Sequence, residues 1–265
     1  MLKLKKLTGT TIILNFFKKL ITSAIKEAEP VAPQVRVYAR SEHNISRSQI
    51  SDNALKVLYR LQKSGFEAYL VGGCVRDLLL GREPKDFDVV TNANPEQVRQ
   101  VFRNCRLIGR RFRLAHVHFG REIIEVATFR GGGNDEQNDK PLLNQEGRLL
   151  RDNVYGTIEE DVWRRDFTVN ALYYNIKDFS VVDYTGGMAD HKSCTLRLIG
   201  DPETRFREDP VRFAVKLGFN LDPACEQAMH KVVDLLSSIP SARLYDETLK
   251  LFLSGYALQT FEMLK

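Results

Sequence analysis

The chain has 265 residues, of which 43% are hydrophobic and 28% are charged, with a net charge of +5. This length allows one large domain or two small ones, and the composition is typical of a globular protein with a buried core. The excess of positive charge suits a polyanionic partner, although a solvated basic surface explains it equally well. Four cysteines without C-x-x-C spacing argue against a zinc site and indicate reduced thiols.

Residues 1–26 contain six lysines and no acidic residue, with an apolar patch from Thr11 to Phe17. The patch is too short to span a bilayer, and no small-residue cleavage site follows it. Two interpretations stay open, namely a flexible basic tail and an amphipathic helix on a membrane surface. We therefore expect a flexible basic segment and linker over 1–43, a cytoplasmic protein without a transmembrane segment, and peripheral contact with the inner membrane as an option.

Hydrophobic spacing predicts the elements of a globular domain from Ser51 onward. Apolar residues from Ala54 to Leu61 recur at helical intervals, and Gly65 is a suitable stop for that helix. The next elements are predicted in this order: a strand at Phe66–Val71, a helix from Val75 to Leu80, a strand at Asp86–Thr91, a helix opening at Pro95, and strands at Leu114–Phe119 and Glu122–Phe129.

The second half of the chain begins with a polar stretch, residues 130–150, that is predicted to be a long loop near the site. A capping box predicts a helix from Thr157 to Arg165. Strands are expected at Val169–Ile176 and Val181–Tyr184, and helices from Asp201 onward. The pattern predicts an α/β (α+β) head with a mixed sheet over 44–200, followed by a partial helical neck over 201–265.

Two aspartates at alternate positions, Asp86 and Asp88, are the first candidate catalytic residues. In a strand they project from one face, while Phe87 between them packs into the core. Paired carboxylates favour a hard divalent ion such as Mg²⁺. Such a pair is common on solvated strand ends, so its context decides the interpretation.

That context is a glycine turn and a third acid. Gly72 and Gly73 join a strand to a helix, where backbone N–H groups can hold phosphates and Arg76 can reach them. A tight turn alone would also explain these glycines. Glu125 lies in an apolar strand, where an unpaired carboxylate is costly. We favour metal coordination beside the two aspartates over a solvated face or an arginine pair.

The motifs Val71-Gly-Gly-Cys-Val-Arg-Asp77, Asp86-Phe-Asp88, Glu125-Val-Ala-Thr-Phe-Arg130 and Arg164-Arg-Asp-Phe-Thr168 occur in the order of one family. From about residue 44 to its end, the chain resembles the class II branch of polymerase-β-like nucleotidyltransferases. This branch comprises CCA-adding enzymes and bacterial poly(A) polymerases. Local segments such as Gly109–His116 and Arg151-Asp-Asn153 look like the poly(A) polymerases.

The resemblance implies template-independent addition of adenylate from ATP to RNA 3′ ends, which promotes RNA processing and decay, with two Mg²⁺ (or Mn²⁺) ions. Its implied metal-binding catalytic acids are Asp86, Asp88 and Glu125. Asp166 is implied as catalytic and, with Arg165, as a contact of the nucleotide. The implied nucleotide-binding residues are Gly72, Gly73, Arg76, Arg165, Asp166, Glu208, Asp209 and Arg212. The run containing Arg110, Arg111 and Arg113 suits contacts with RNA phosphates, or is a solvated basic turn.

The chain departs from the family pattern in the helix expected to select the base. Arg212 is followed at once by Phe213, so about six residues with two further arginines are absent. The chain also looks truncated within the neck. Besides poly(A) addition, two alternatives therefore stay open: a CCA-adding tRNA nucleotidyltransferase, and a catalytically impaired RNA-binding remnant of the family.

Overall fold

The computed structural model describes residues 35–109, 113–131, 142–143, 149–151, 154–208, 219–253, 257–258 and 261. Its strands are β1 Arg36–Tyr38, β2 Ala68–Val71, β3 Asp88–Thr91, β4 Cys105–Ile108, β5 Leu114–Phe119, β6 Glu122–Thr128, β7 Leu142–Leu143, β8 Leu149–Arg151, β9 Leu172–Asn175, β10 Ser180–Asp183, β11 Thr195–Leu196 and β12 Asn220–Leu221. Its α-helices are α1 Asp52–Lys63, α2 Gly73–Leu79, α3 Pro95–Val101, α4 Ile158–Trp163, α5 Gly187–Lys192, α6 Pro202–Glu208, α7 Pro223–Val232 and α8 Ser241–Leu253.

Eight of these strands form one mixed sheet in the order β1-β10-β9-β2-β3-β6-β5-β4. Strands β3 and β6 are parallel, and the other neighbouring pairs are antiparallel. The parallel pair requires a crossover, which α3, β4 and β5 supply. The expected α/β head with a mixed sheet is confirmed.

Helix α1 forms where the apolar spacing predicts it. The hydroxyl of Ser51 accepts a hydrogen bond from the backbone N–H of Ala54 and so caps the first turn. The predicted apolar stripe is buried against the sheet, and Leu58 and Leu61 are fully inaccessible. Gly65 follows the helix with a φ of +88°, a left-handed conformation that glycine adopts without strain.

The structure differs from the sequence-based prediction at two strand boundaries and in an additional edge strand. Strand β3 begins at Asp88 rather than Asp86, because the chain bends through the two residues before Phe87. Residues 168–170 form a 3₁₀ turn, so the strand expected from Val169 begins only at Leu172. Strand β4 was not anticipated, since a four-residue edge strand with partly exposed side chains carries little periodicity.

A different apolar cluster packs against each of the two faces of the sheet. Helix α1 packs on one face, where its apolar side chains join Leu70, Val89 and Val126 in the main core. On the other face, Val71 and Val90 pack with residues that include Phe129 and Tyr173. Since alternate residues point to opposite faces, Asp88 shares the face of Val90 and lies away from α1.

The head and the helical section meet in a third apolar cluster. This cluster combines Phe167 and Leu198 with Phe206, Cys225 and Val232. Strand β11 also pairs in parallel with β12, across the boundary expected near residue 200. At the other end, β1 already pairs with β10, so the sheet begins before residue 44.

The structure bears only in part on membrane attachment through the first part of the chain. Among the described residues, no helix is long and apolar enough to cross a membrane. Residues 1–34, on which the surface-helix alternative depends, lie outside the described residues. Most of the loop expected over 130–150 lies outside them too, although β7 and β8 within it pair antiparallel.

Candidate functional site

The site is built on three adjacent strands that bring two carboxylates into register. Asp88, the first residue of β3, is paired with Val71 at the end of β2 and with Glu125 in β6. Residues paired on neighbouring strands lie on the same face, about 5 Å apart at their Cβ atoms. The parallel pairing of β3 and β6 therefore places Asp88 beside Glu125, as predicted, although the two residues are more than thirty positions apart in the chain.

Electrostatic crowding marks Asp88 as the centre of this acidic group. Burial, together with the negative charges of Glu125 and Asp86, raises the pKa of the Asp88 carboxyl to about 6, and the nearby Arg165 opposes that rise. A raised pKa of this origin means that burial and repulsion from the neighbouring carboxylates both disfavour the ionised form of Asp88. A cation placed between them would relieve that repulsion.

Asp86 lies just before β3 rather than within it. The residue is exposed and belongs to the bend that precedes the strand. Phe87 is packed in the core as predicted, with 9% of its surface exposed. The charge of Asp86 still acts on Asp88, but its role as a ligand stays a prediction.

A cleft of about 270 Å³ opens above the carboxylates. Its lining includes Asp88 and Glu125 on the sheet. Three arginines form the basic side of the lining, namely Arg130 after β6 and Arg164 and Arg165 at the end of α4. The cleft thus combines carboxylates, which bind cations, with guanidinium groups, which bind phosphate oxygens.

Asp161 organises the basic side of the cleft. This buried carboxylate accepts hydrogen bonds from the Arg165 guanidinium at 2.9 Å and from the Tyr173 hydroxyl at 2.8 Å. Its second oxygen accepts the backbone N–H of Arg130 at 3.3 Å. The hydroxyl of Tyr173 also accepts a hydrogen bond from Arg165 Nε at 2.8 Å. These contacts fix the Arg165 guanidinium beside the carboxylates.

Sequence reasoning missed Asp161 and Tyr173. The first carried a readable signal, because Asp161 and Arg165 are four positions apart on one helix and such pairs interact. No sequence signal distinguished Tyr173, because an aromatic residue in a predicted strand is usually interpreted as part of the hydrophobic core. Burial raises the pKa of its hydroxyl, which therefore stays protonated and donates to Asp161.

The glycine turn meets the site at Gly72. This residue has a φ of +78°, and a Cβ added to it would lie 3.7 Å from Oδ2 of Asp88. Gly73 then opens α2. A side chain at Gly72 would be strained by this left-handed backbone conformation, whereas its Cβ would meet the carboxylate only at an ordinary van der Waals distance. Phosphate binding by these two glycines stays a prediction.

Arg76 and Asp166 lie outside the lining of this cleft. Asn170, which the sequence analysis did not identify as a site residue, connects them. Arg76 donates to Oδ1 of Asn170 at 2.8 Å and pairs with Asp77. Asn170 in turn donates to Asp166 at 3.4 Å, and Asp166 accepts the backbone N–H of Phe167 at 2.7 Å. The structure thus joins two predicted nucleotide contacts in one hydrogen-bonded group.

The remaining predicted residues are only partly described. Arg113 is exposed and forms an ion pair with Glu96, so its charge is partly engaged. Glu208 is the last residue of α6. Arg110, Arg111, Asp209 and Arg212 lie outside the described residues, as does the shortened segment after Arg212.

The carboxylates of the site are oxygen donors of the kind that a hard divalent ion requires. In the described part of the chain, no three His, Cys, Asp or Glu side chains converge to hold an ion by themselves. Mg²⁺ is commonly bound by one or two carboxylates together with substrate phosphates and waters. Asp88 and Glu125 are such a pair, and their repulsion favours a cation. The residues therefore fit an ion whose coordination a bound triphosphate would complete.

His116 adds a contact to this pair that the sequence did not predict. Its Nε2 lies 3.2 Å from Oε2 of Glu125, directly across the pairing of β5 with β6. The side chain of Glu125 is 42% exposed and has His116 as a partner, so the cost expected for an unpaired carboxylate in an apolar strand is not incurred in full.

Comparison with known proteins agrees with this arrangement. Residues 68–197 match a family described as "Poly A polymerase head domain", and residues 218–265 match one described as "Probable RNA and SrmB- binding site of polymerase A". Over 264 residues, the chain is 57% identical to Poly(A) polymerase I of Escherichia coli O6:H1, covering 96% of this chain and 57% of that protein. The chain thus spans little more than half the length of this relative.

CCA-adding enzymes are more distant relatives. The chain is 37% identical to the CCA-adding enzyme of Lactobacillus helveticus, covering 79% of this chain and 52% of that protein. The solved CCA-adding enzyme of Bacillus stearothermophilus in complex with CTP superposes with a TM-score of 0.64 at 34% identity, over 78% of this chain and 49% of that one. The chain belongs to the poly(A) polymerase head-domain family of nucleotidyltransferases, in which its relatives named Poly(A) polymerase I are nearer than the CCA-adding enzymes.

Proposed function

We propose that this chain is the catalytic part of a template-independent ATP:RNA adenylyltransferase that extends RNA 3′ ends with adenylate. The observation that carries the proposal is the registered pair of Asp88 and Glu125, which line a small cleft together with Arg165. The higher identity to relatives named Poly(A) polymerase I favours adenylate over CCA addition.

In the proposed reaction, an RNA 3′-oxygen bonds to the α-phosphorus of ATP while the bond to the β-phosphate bridging oxygen breaks and pyrophosphate leaves. The proton of the attacking hydroxyl passes to water. Asp88 and Glu125 would hold Mg²⁺ or Mn²⁺, with Asp86 as the expected third ligand. When bound, such ions lower the pKa of a hydroxyl and neutralise phosphate charge.

The basic side of the cleft has the complementary task. Arg165 is held by Asp161 and Tyr173, so its guanidinium needs little reorganisation to contact a triphosphate. Arg164 donates to the carbonyl oxygen of Gly131 at 2.8 Å, which restrains it at the rim. Fixed cations of this kind bind and orient phosphate.

Other predicted roles complete the proposal. Gly72, Gly73 and Arg76 would contact the phosphates, and Asp166 the ribose. Glu208, Asp209 and Arg212 would contact the base, whereas Arg110, Arg111 and Arg113 would contact RNA. We propose that residues 44–200 bind ATP and that 201–265 contribute to RNA binding, in the cytoplasm, while membrane contact through 1–43 stays a prediction.

The test is to incubate the purified protein with an RNA oligomer, Mg²⁺ and each nucleoside triphosphate separately, and to resolve the products by length. A ladder with ATP alone is expected. Asp88→Ala should abolish it, whereas Asp246→Ala, which removes an exposed carboxylate of α8, should not. An unextended RNA in a demonstrably folded sample would refute adenylyl transfer.

CCA addition is the second candidate, because the head superposes on a CCA-adding enzyme in complex with CTP. The same assay distinguishes the two activities. Extension of a tRNA by a few residues only, requiring both CTP and ATP, would assign the protein to that activity instead.

A further inference from the structure

A second, larger groove lies on the opposite face of the sheet from Asp88. It has a volume of about 940 Å³ and follows the outer side of α1, past Phe102 at the end of α3 and Phe119 in β5. Helix α1 packs on the sheet face of Val89, which points away from the catalytic carboxylates. The groove is therefore separate from the cleft that the proposed reaction uses.

The lining of this groove is strongly basic. Four exposed cations, Arg47, Lys56, Arg60 and Lys63, contribute to it, against the single carboxylate of Asp52. Within the described residues, none of the four cations forms an ion pair. Cations concentrated in a concave surface attract an anionic chain more strongly than the same charges spread over a convex one.

Three of the cations are held against aromatic rings. The guanidinium of Arg60 lies 5.3 Å from the ring centroid of Phe102, and that of Arg47 lies 5.4 Å from the ring of Tyr59. The ammonium of Lys56 lies 5.8 Å from the ring of Phe119. Such cation–π contacts hold the charged groups along the groove, where guanidinium planes can stack on nucleobases while phosphates pair with the charges.

We propose that this groove binds a segment of single-stranded RNA upstream of the 3′ end that is extended, an inference that rests on the proposed function. Alternating basic and aromatic side chains are the pattern that sequence-independent binding of single strands requires. Only an RNA long enough to pass around the sheet reaches both the cleft and the groove. The groove thus favours longer RNAs as substrates.

The test measures equilibrium binding of a fluorescent RNA 20-mer, without ATP or Mg²⁺, as salt is varied. Each phosphate contact on a single strand contributes about −0.7 to the slope of log affinity against log salt. The double substitution Arg60→Gln with Lys63→Gln should therefore flatten the slope by about 1.4. Between 1 M and 0.1 M salt, the affinity of the variant should then rise about 25-fold less than that of the wild type. A matched control removes two exposed lysines that do not line the groove, by Lys177→Gln with Lys192→Gln.

The results expected for the control are a smaller loss and a slope close to that of the wild type. Equal slopes and affinities for the two double variants would overturn the proposal. Loss of binding to anionic phosphatidylglycerol vesicles by the groove variant, with RNA affinity unchanged, would assign the groove to a membrane instead. Thermal unfolding checks that both variants are folded, which is expected because the four substituted side chains are exposed.

A separate assay distinguishes failure of this proposal from failure of the proposed function. Extension of a six-nucleotide primer at saturating ATP depends on the cleft, and the groove variant should retain it within twofold. A wild type that binds the 20-mer through the groove but extends no primer would keep the RNA site and refute adenylyl transfer. If instead the groove variant binds the 20-mer normally and the wild type extends the primer, the RNA site in the groove is refuted and adenylyl transfer is kept.

Discussion

Replacing Asp88 by asparagine should stabilise the metal-free protein while it abolishes nucleotide transfer. The reason is that burial and the charges of Glu125 and Asp86 raise the pKa of Asp88 from 3.8 to about 6. Ionisation of this carboxyl at neutral pH therefore costs free energy in the folded state that it does not cost in the unfolded chain. Asparagine has a similar shape and no charge, so the substitution removes that cost.

The size of the effect follows from the pKa. One pKa unit corresponds to about 1.4 kcal/mol, so the shift of Asp88 sets an upper bound of about 3 kcal/mol. Because the substitution also removes acceptor capacity, we expect a net gain of about 1–2 kcal/mol, or roughly 2–8 °C in melting temperature. The cost is absent below pH 3.8, grows as the pH rises and is complete above about pH 6. The gain should therefore be small at pH 4.5 and full at pH 7.5.

Thermal unfolding in EDTA at the two pH values measures this difference. Asp246→Asn is the control, since it removes an exposed carboxylate and should shift the midpoint little at either pH. Added Mg²⁺ should stabilise the wild type more than Asp88→Asn, because the variant has lost a ligand. A variant that is less stable than the wild type at pH 7.5 in EDTA would refute the electrostatic reasoning.

Three further substitutions test the packing that positions the site. Phe87→Ala should lower the free energy of unfolding, measured in urea, by about 3–5 kcal/mol, and an unchanged midpoint would reject its core position. Gly187→Ala would place a Cβ 2.2 Å from the carbonyl oxygen of Thr168, so a loss of about 1–3 kcal/mol is expected by the same method, and full stability would show that this contact can relax. The carboxylate of Asp183 accepts hydrogen bonds from four backbone N–H groups at the start of α5, and Asp183→Asn should weaken them. The melting temperature of this variant should fall by an amount equivalent to about 1–3 kcal/mol. A higher melting temperature would contradict the assigned hydrogen bonds.

Local patterns in the sequence were sufficient for the elements with strong periodicity or distinctive ends. Helix α1 has its apolar stripe, its serine cap and its glycine stop within fifteen residues, so no distant contact is needed to define it. The capping box at Thr157 and the glycine pair at 72–73 are equally local. Periodicity failed at β3, where the chain bends at Asp86, because nothing in two alternating aspartates indicates where a strand begins.

The sequence by itself determined the candidate acids, the glycine turn and the family, because these depend on residue types and their order along the chain. Only the tertiary structure decided which of them meet. The parallel pairing of β3 with β6 places Glu125 beside Asp88, and the fold brings Tyr173 to Asp161 and Asn170 between Arg76 and Asp166. Such contacts join residues on different elements, and their distances depend on the register and packing of the sheet, which no local pattern encodes.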